Sequence, residues 1–248
     1  LSPLGFNTFE NISQISIEKS GIKLQSIIGK TPSYAALIDD DHLNQVFNTE
    51  AISNLNDFSK LEKMMILSLV DTISKASFPI TDRTLLIIAT TKGNINILNS
   101  KKNHISESRV YLSELGKQIK KFFGFKNEPI ILSNACVSGL LAIVVAKRLI
   151  QNEFYDNAFI VGGDIVSEFT ISGFQSFKAI SDQPCKPFSK YRGGITLGEA
   201  AASLAITSTN NLDKNIQIVG DGSINDSNHI SAPCRNGEGL YRSIQSAF

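Results

Sequence analysis

Cysteine is scarce in this sequence, and its few copies form no pairs. Only three cysteines occur among the 248 residues, an odd number without paired spacing. This count argues against a disulfide framework and favours a reducing compartment, so we expect a cytoplasmic protein. No cysteine or histidine pair has the spacing of a zinc site, and the sequence therefore implies no metal.

A charge excess and a long hydrophobic run are also missing. Lys and Arg number 24 against 23 for Asp and Glu, which gives a formal net charge of +1. No overall attraction to nucleic acid or to an anionic membrane is expected from such a balance. The longest apolar run, residues 140–146, ends at Lys147 and is far shorter than the roughly 20 residues that span a bilayer. We therefore expect no nucleic-acid partner and no membrane partner.

The two ends of the sequence lack the features of natural termini. Residue 1 is a leucine, and no basic segment followed by an apolar one marks a secretory signal. At the other end, apolar residues predict a helix over residues 237–248 whose periodicity is still running at Phe248. We expect a C-terminal continuation of the chain.

Hydrophobic patterning between these ends predicts an α/β chain without a dividing linker. A hydrophobic fraction of 42% is enough to fill a substantial core. Periodicity predicts helices over residues 58–76, 108–123, 139–151 and 167–179, and strands over residues 85–89, 129–133, 158–161 and 216–219. Residues 93–108 and 184–194 are predicted to be loops. The apolar run at 85–89 is typical of a strand buried on both faces, and residues 129–161 read as a parallel strand, helix, strand unit.

One cysteine lies where a chain can present a reactive side chain. Cys136 stands on a short polar turn between the predicted strand 129–133 and the predicted helix 139–151. Unpaired N–H groups and the dipole at a helix N-terminus stabilise a thiolate and can hold an oxyanion. Cysteine is also a common buried residue, so position alone leaves a nucleophile and an inert core thiol open as alternatives.

Three segments of the sequence form a recognisable series. The first is Asn134-Ala135-Cys136-Val137-Ser138-Gly139 with the helix after it and the strand that ends in Val161-Gly162-Gly163-Asp164. The second spans residues 172–201, and the third spans residues 221–239. In this order they resemble the β-ketoacyl-acyl-carrier-protein synthases, which are condensing enzymes of the thiolase fold. The elongating, decarboxylating branch fits best, because residues 185–201 contain its proline-aromatic turn and its Gly-Glu pair.

The resemblance implies a fold. It predicts an α/β, thiolase-like N-terminal lobe with a mixed five-stranded sheet and layered helices. The whole chain, residues 1–248, would be this one domain, lacking the family's first strand and its C-terminal half. The family dimerises through this lobe near the strand that leads to Cys136, so a homodimer or a heterodimer with a related synthase is expected.

The resemblance also implies roles for individual residues. Cys136 would be the nucleophile that accepts an acyl chain from a carrier-protein thioester. Phe174 would line the acyl pocket, and Lys178 and Lys63 would lie on the surface that docks the acyl carrier protein. Glu199 would be a buried carboxylate with a structural role.

The implied reaction is acyl transfer to Cys136 followed by decarboxylative Claisen condensation with a malonyl-carrier thioester. The product would enter fatty acid, polyketide or polyene biosynthesis. Acyl groups would arrive on the phosphopantetheine of an acyl carrier protein, and no metal or redox cofactor is implied.

The histidines do not complete this chemistry. The family takes two basic residues, commonly His, and a supporting Lys from its C-terminal half, whereas His42, His104 and His229 match no such motif. This chain alone is therefore expected to be inactive in condensation. A non-catalytic acyl-binding or scaffold module is the alternative from another class, and the absence of an acyl adduct on Cys136 would favour it.

Overall fold

The described residues form an α/β structure with two separate sheets. A computed structural model describes residues 1–26, 32–50, 57–99, 104–209, 216–226 and 234–248. The helices are α1 (Thr8–Ser16), α2 (Asp40–Glu50), α3 (Lys60–Lys75), α4 (Leu112–Phe123), α5 (Ser138–Gln151), α6 (Glu168–Ser176) and α7 (Glu238–Ala247). The strands are β1 (Lys23–Gln25), β2 (Ser33–Ala36), β3 (Thr84–Ala89), β4 (Ile130–Leu132), β5 (Asn157–Asp164), β6 (Leu197–Gly198) and β7 (Ala200–Thr207). Within these ranges, no helix has both the length and the apolar character to cross a membrane.

The larger sheet is mixed, with strand order β4-β3-β5-β7. β3 pairs in parallel with β4 and β5, whereas β7 runs antiparallel to β5. The described part of the chain thus gives this sheet four strands rather than the five predicted, because β1, β2 and β6 form a sheet of their own. At the outer edge of β7, Leu1 and Ala201 exchange two backbone hydrogen bonds of 2.7 and 3.0 Å.

The central strand β3 separates two hydrophobic cores. All six of its residues are buried, as the apolar run predicts. Leu86 and Ile88 belong to the core that includes α3 and α4, while Leu85 and Ile87 belong to the core that includes α5. Because side chains alternate along a strand, β3 contributes to both cores at once. Helices therefore cover both faces of the larger sheet.

The helix predicted over residues 58–76 is confirmed as α3. It begins after a capping box, in which the Ser59 hydroxyl accepts from the Glu62 N–H and the Glu62 carboxylate accepts from the Ser59 N–H. Glu62 is fully buried, and its carboxylate also pairs with Arg109 and accepts from Asn94 Nδ2 at 2.8 Å. Since a buried carboxylate is costly unless it is paired, these contacts fix the segments after β3 and before α4 against α3.

Several predicted boundaries are wrong. The predicted loop at 93–108 contains two 3₁₀ turns, Ile95–Asn99 and Glu107–Val110, and α4 begins only at Leu112. Residues 216–219 form no strand, since Ile216 and Val219 are 98% and 83% exposed and neither described sheet includes them. An apolar run forms a strand only where it can pair with a neighbouring strand and pack its side chains into a core.

Candidate active site

The carboxyl ends of three parallel strands meet at one edge of the larger sheet. Ala89, the last residue of β3, lies opposite Leu132 of β4 and Gly162 of β5. The Thr90 N–H donates to the Leu132 carbonyl oxygen at 3.1 Å, which joins the segments that follow β3 and β4. Open α/β sheets bind their ligands outside the carboxyl ends of their strands, so this edge is the place to examine for a site.

Cys136 lies on the turn that joins β4 to α5. It occupies the middle of a short 3₁₀ turn, Ala135–Val137, and α5 begins directly afterwards at Ser138. Its thiol is free and the residue is exposed. The predicted strand, turn and helix around Cys136 are therefore confirmed, and the thiol is not buried in the core.

The start of α5 supplies positive potential to this turn. The first N–H groups of a helix have no partners inside it, and the N-cap residue Val137 offers no side-chain acceptor. These groups lie at the positive end of the α5 dipole. The turn can therefore stabilise a negative charge on the oxygen of an intermediate bound to the sulfur atom of Cys136.

The turn itself contains an unusual backbone conformation. Ala135 has a φ of 47°, in the left-handed region that residues with a Cβ seldom adopt. Ser138 is buried, and its Oγ donates to the Ala135 carbonyl oxygen at 2.7 Å. The same Oγ accepts from the Asn134 N–H at 2.8 Å. One hydroxyl thus bridges the two residues that precede Cys136.

A carboxylate at the end of β5 organises the segment after β3. Asp164 accepts from Thr90 Oγ1 at 2.9 Å and from both the N–H and the Oγ1 of Thr91 at 3.0 Å. The Thr91 carbonyl oxygen in turn accepts from Ser133 Oγ at 3.2 Å. A continuous set of hydrogen bonds therefore runs from β5 through the segment after β3 to the chain that enters the Cys136 turn.

The helix α6, which carries Phe174, contacts the same segment after β3. Asn99 Nδ2 donates to Glu168 Oε2 at 2.9 Å, and the Lys92 amine lies 5.5 Å from the centre of the Phe169 ring. Phe174 is half-buried on this helix. Its predicted place in an acyl pocket stays a prediction.

Lys178 follows the end of α6 in an exposed position. It has a φ of 55°, and its N–H donates to the Gln175 carbonyl oxygen at 2.8 Å. The Ala179 N–H donates to the Phe174 carbonyl oxygen at 3.0 Å. These two bonds define a Schellman motif, in which the position of Lys178 is usually occupied by glycine. The left-handed residue ends α6 earlier than the predicted residue 179.

Lys63 is less accessible than the sequence suggests. It lies on α3, and its amine donates to Asn44 Oδ1 of α2 at 2.7 Å. Burial lowers the pKa of Lys63, while the carboxylates of Asp40 and Glu62 oppose that shift. A docking partner would have to compete with α2 for this amine.

Glu199 connects the two sheets. It is buried, and its carboxylate accepts from the Ile38 N–H at 2.9 Å, the Val166 N–H at 3.2 Å and the Lys60 amine at 2.7 Å. Burial lowers the pKa of Lys60, but Glu199 and a hydrogen bond to Asp40 outweigh it, so that the pKa is raised overall. This geometry agrees with the structural role expected for Glu199.

A small apolar cavity lies between α6 and the smaller sheet. Its lining includes Ala35 of β2, Leu197 of β6, Val166 just before α6 and Ile171 within α6. Cys136 and Phe174 do not belong to that lining. The cavity therefore belongs to the packing between α6 and the smaller sheet.

Neither of the two described histidines, His42 and His104, joins the Cys136 turn. The ring of His42 packs on Phe6 with 4.5 Å between ring centres. His104 is exposed in the segment before α4, and His229 lies outside the described residues. Across the described ranges, no group of three or more His, Cys, Asp or Glu side chains is placed to hold a metal ion.

Sequence reasoning missed the polar residues that support the turn. Thr91, Ser133 and Ser138 had no role assigned, and Asp164 entered only as part of a motif. One signal was available, because Thr90-Thr91 directly follows the predicted strand 85–89 and Asp164 ends the segment that begins with the predicted strand 158–161. The structure shows these two strands to be parallel neighbours. Such residues meet at one sheet edge.

Comparison with known sequences identifies the family. Residues 39–211, well over half of the chain, match the family model described as Beta-ketoacyl synthase, N-terminal domain. The chain belongs to the β-ketoacyl synthase family. The matched range contains Cys136, Phe174, Lys178 and Lys63, whereas α7 lies outside it.

Two curated relatives show how much of a complete synthase this domain represents. The chain is similar to 3-oxoacyl-[acyl-carrier-protein] synthase 2 of Staphylococcus aureus, with 35% identity over 126 residues that cover 46% of this chain and 31% of the relative. It is 28% identical over 155 residues to a putative mitochondrial 3-oxoacyl-[acyl-carrier-protein] synthase of Schizosaccharomyces pombe, covering 57% of this chain and 36% of that protein. The matched stretches of this chain thus cover about a third of the length of these two relatives.

Solved structures show the thiolase-like ketosynthase fold. A ketosynthase in complex with its chain length factor from Xenorhabdus doucetiae superposes with a TM-score of 0.77 at 22% identity, covering 100% of this chain and 65% of that one. The ishigamide ketosynthase/chain length factor gives a TM-score of 0.79 at 19% identity, covering 99% and 66%. At these identities the likeness establishes the fold of the synthase domain, and the predicted α/β fold class is confirmed.

Proposed function

We propose that this chain is the part of a β-ketoacyl synthase that accepts the acyl group, with Cys136 as its nucleophile. The observation that carries the proposal is the exposed, free thiol of Cys136 on a strand, turn and helix at the carboxyl edge of a parallel sheet. Covalent catalysis holds the acyl group in place and divides a difficult reaction into two easier steps.

In the first step, the Cys136 thiolate attacks the carbonyl carbon of an acyl-carrier thioester. A carbon–sulfur bond to Cys136 forms, the bond to phosphopantetheine breaks, and the phosphopantetheine thiolate leaves. We propose that the backbone N–H of Cys136, together with N–H groups in the first turn of α5, stabilises the tetrahedral oxyanion.

In the second step, a malonyl-carrier thioester loses carbon dioxide and its α-carbon attacks the acyl group on Cys136. The Cys136 thiolate leaves, and the β-ketoacyl product remains on the carrier protein. His42 and His104 contribute nothing to the described turn, so we propose that this chain alone becomes acylated but does not condense. The acyl groups arrive on phosphopantetheine, and the two steps consume no other cofactor.

We propose Phe174 of α6 as a lining residue of the acyl pocket. The support is its half-buried position on a helix that contacts the segment after β3, which in turn bonds to the chain entering the Cys136 turn. Exchange of Phe174 for alanine should change the relative acylation rates of short and long acyl groups.

We propose that an acidic carrier protein docks at Lys178. Its side chain is exposed, and the left-handed backbone beneath it would favour glycine, so a lysine at this position has a cost that a docking role explains. Lys63 is a weaker second candidate because its amine already contacts Asn44.

For the assembly, we propose a homodimer or a heterodimer with a related synthase, formed through the outer edge of β4. Among the described strands β4 pairs only with β3, so its other edge has backbone groups available for a partner strand. Two structural relatives are ketosynthases described with chain length factors. We place the assembly in the cytoplasm on the sequence grounds of three unpaired cysteines.

Incubation with an acyl-carrier thioester, followed by intact mass measurement, tests the proposed function. The wild-type chain should gain one acyl mass, the C136A variant should gain none, and the matched C185A variant should behave as wild type. A cerulenin-like electrophile should give the same pattern. A folded wild-type chain that gains no adduct from either reagent would favour the acyl-binding or scaffold module instead.

A further inference from the structure

The hydroxyl of Ser138 bridges the two residues that lead into Cys136. Its Oγ accepts from the Asn134 N–H at 2.8 Å and donates to the Ala135 carbonyl oxygen at 2.7 Å. Ser138 is only 5% exposed, whereas its partners Asn134 and Ala135 belong to the exposed turn. The hydroxyl thus uses its single donor and one of its two lone pairs within the turn, and alanine at this position would leave both backbone partners without these bonds.

The conformation that these bonds enclose needs support. Ala135 has a φ of 47°, and the left-handed region brings the Cβ of an L-residue too close to its own carbonyl oxygen. Such a residue persists only where its surroundings determine the conformation. The Ser138 Oγ bonds groups on both sides of Ala135, and the Val137 N–H donates to the Asn134 carbonyl oxygen at 3.2 Å.

The direction of Cys136 depends directly on this conformation. Cys136 is the next residue, so a change in the dihedral angles of Ala135 turns its side chain and its N–H together. The body of α5 depends on other contacts, since Ala142, Val144 and Ala146 anchor it in the core. Loss of the Ser138 hydroxyl should therefore disturb the turn more than the helix.

We propose that Ser138 is a positioning residue for the Cys136 nucleophile. It holds Ala135 in the left-handed conformation and thereby aims the thiol and the adjacent N–H at one acyl carbonyl. The inference rests on the proposed function, because it assigns to Ser138 the alignment of the same nucleophile.

The test compares Ser138→Ala with Ser138→Thr. Threonine keeps a hydroxyl on Cβ and can form both bonds, whereas alanine forms neither. Because a displacement of about 1 Å can cost about 100-fold in rate, we expect the S138A variant to acylate Cys136 at least about tenfold more slowly than wild type. The S138T variant should stay within about threefold of wild type, and circular dichroism should show α-helix content retained in both.

Cys185 and Cys234 provide an internal reference in the same molecule. Both are free and partly exposed, so iodoacetamide followed by peptide mapping reports three thiols at once. The S138A variant should change the alkylation rate of Cys136 relative to Cys185 and Cys234. If Ser138 had a purely structural role, the S138A variant would change the alkylation rates of all three thiols or of none.

A second substitution separates local strain from general damage. Glycine adopts left-handed angles without steric cost, so Ala135→Gly should restore part of the acylation rate lost in S138A. Equal acylation by wild type and S138A, or an S138T variant as slow as S138A, would overturn the proposal. A wild-type chain that is never acylated would instead refute the proposed function.

Discussion

Ala135 and Lys178 both adopt the left-handed conformation beside a helix, but they are held there in different ways. Ala135, with a φ of 47°, precedes α5 and is bridged by a side chain, the Ser138 hydroxyl. Lys178, with a φ of 55°, follows α6 and is held by backbone bonds of a Schellman motif. Backbone N–H groups of Val137 and Ser138 also bond within the turn that contains Ala135, but the hydroxyl bridge depends on one side chain. A Schellman motif, by contrast, consists of backbone bonds alone and accepts glycine readily. At Ala135 the left-handed conformation orients the next residue, Cys136. At Lys178 it presents the side chain of Lys178 itself.

Ala135→Val should give the largest change at the first of these positions. A β-branched residue is strongly disfavoured at positive φ, and left-handed angles already cost about 1–2 kcal/mol for an ordinary residue. We expect acylation of Cys136 to fall at least about tenfold. The measurement is the acylation rate by intact mass, with Ala135→Gly as the matched control that should keep the wild-type rate. Equal rates in the valine and glycine variants would contradict this account of the turn.

Asp164→Asn should have the next largest effect, because it alters the support beneath the same turn. The carboxylate Oδ1 accepts three hydrogen bonds from Thr90 and Thr91, and Oδ2 accepts from the Thr91 N–H at 3.2 Å. In the asparagine variant the amide nitrogen would take the place of Oδ2 and set a donor against the Thr91 N–H, while the loss of charge would weaken the bonds to Oδ1. Leaving such groups unpaired costs about 1–3 kcal/mol in the free energy of unfolding. Urea denaturation measures the free energy of unfolding. Asp182→Asn, at an exposed position, serves as the control, and its free energy of unfolding should differ from that of wild type by no more than about 0.5 kcal/mol. Identical unfolding free energies for the two variants would contradict the claim that Asp164 supports the segment after β3.

Lys178→Gly should have a smaller effect of the opposite sign. Glycine relieves the left-handed strain, so the unfolding free energy should rise by about 0.5–1 kcal/mol. Carrier-protein affinity should nevertheless fall, by up to about fivefold, because one exposed charge is lost. Lys178→Ala is the control, since it removes the charge without relieving the backbone. A glycine variant that is less stable than wild type would show that the backbone motif is not what holds this position.

The C-terminal part of α5 can be compared with its N-terminal turn. There, ion pairs with Asp221 rather than a hydroxyl group link the helix to another segment of the chain. Asp221 accepts from Lys147 at 2.8 Å and from Arg148 Nε at 2.9 Å. Hydrogen bonds from Lys147 and then Arg148 lower the pKa of Asp221 below its model-compound value of 3.8.

This shift predicts a small pH effect with a definite sign. A carboxylate with a lowered pKa in the folded state stabilises the protein above its unfolded pKa, and that contribution is lost as the pH falls through the folded value. Below about pH 4, stability should therefore decrease more steeply in wild type than in Asp221→Asn. The urea midpoints of wild type and Asp221→Asn, measured between pH 6 and pH 2.5, report this difference in pH dependence. If the midpoints of the two proteins fell in parallel, the lowered pKa of Asp221 would be contradicted.

The parts of the fold that the sequence predicts are those buried in the two cores. The run at β3 and the amphipathic pattern of α3 are predicted because burial imposes periodicity on them. The first 57 residues were not assigned to elements, and the structure shows why. α1 has no buried residue, β1 has only three residues, and α2 buries only Leu43 and Phe47, so none of these elements has a strong core pattern in its sequence.

The candidate site was predicted where its signal is local and missed where it is not. Cys136 is recognisable because the strand, turn and helix around it are consecutive in the chain. The bond from Ser133 to Thr91 joins residues 42 apart, and the bonds from Thr91 to Asp164 join residues 73 apart. Only the register of β3, β4 and β5 brings these residues together. Lys63 illustrates the same limit, because its contact with Asn44 depends on how α2 packs against α3.

Peptide mapping after incubation with an acyl-carrier thioester tests the central claim most directly, because it reports which sulfur atom has received the acyl group. The account predicts the acyl mass on the peptide that contains Cys136, with Cys185 and Cys234 unmodified. An acyl mass on either of those two cysteines, or on none of the three in a folded chain, would contradict it.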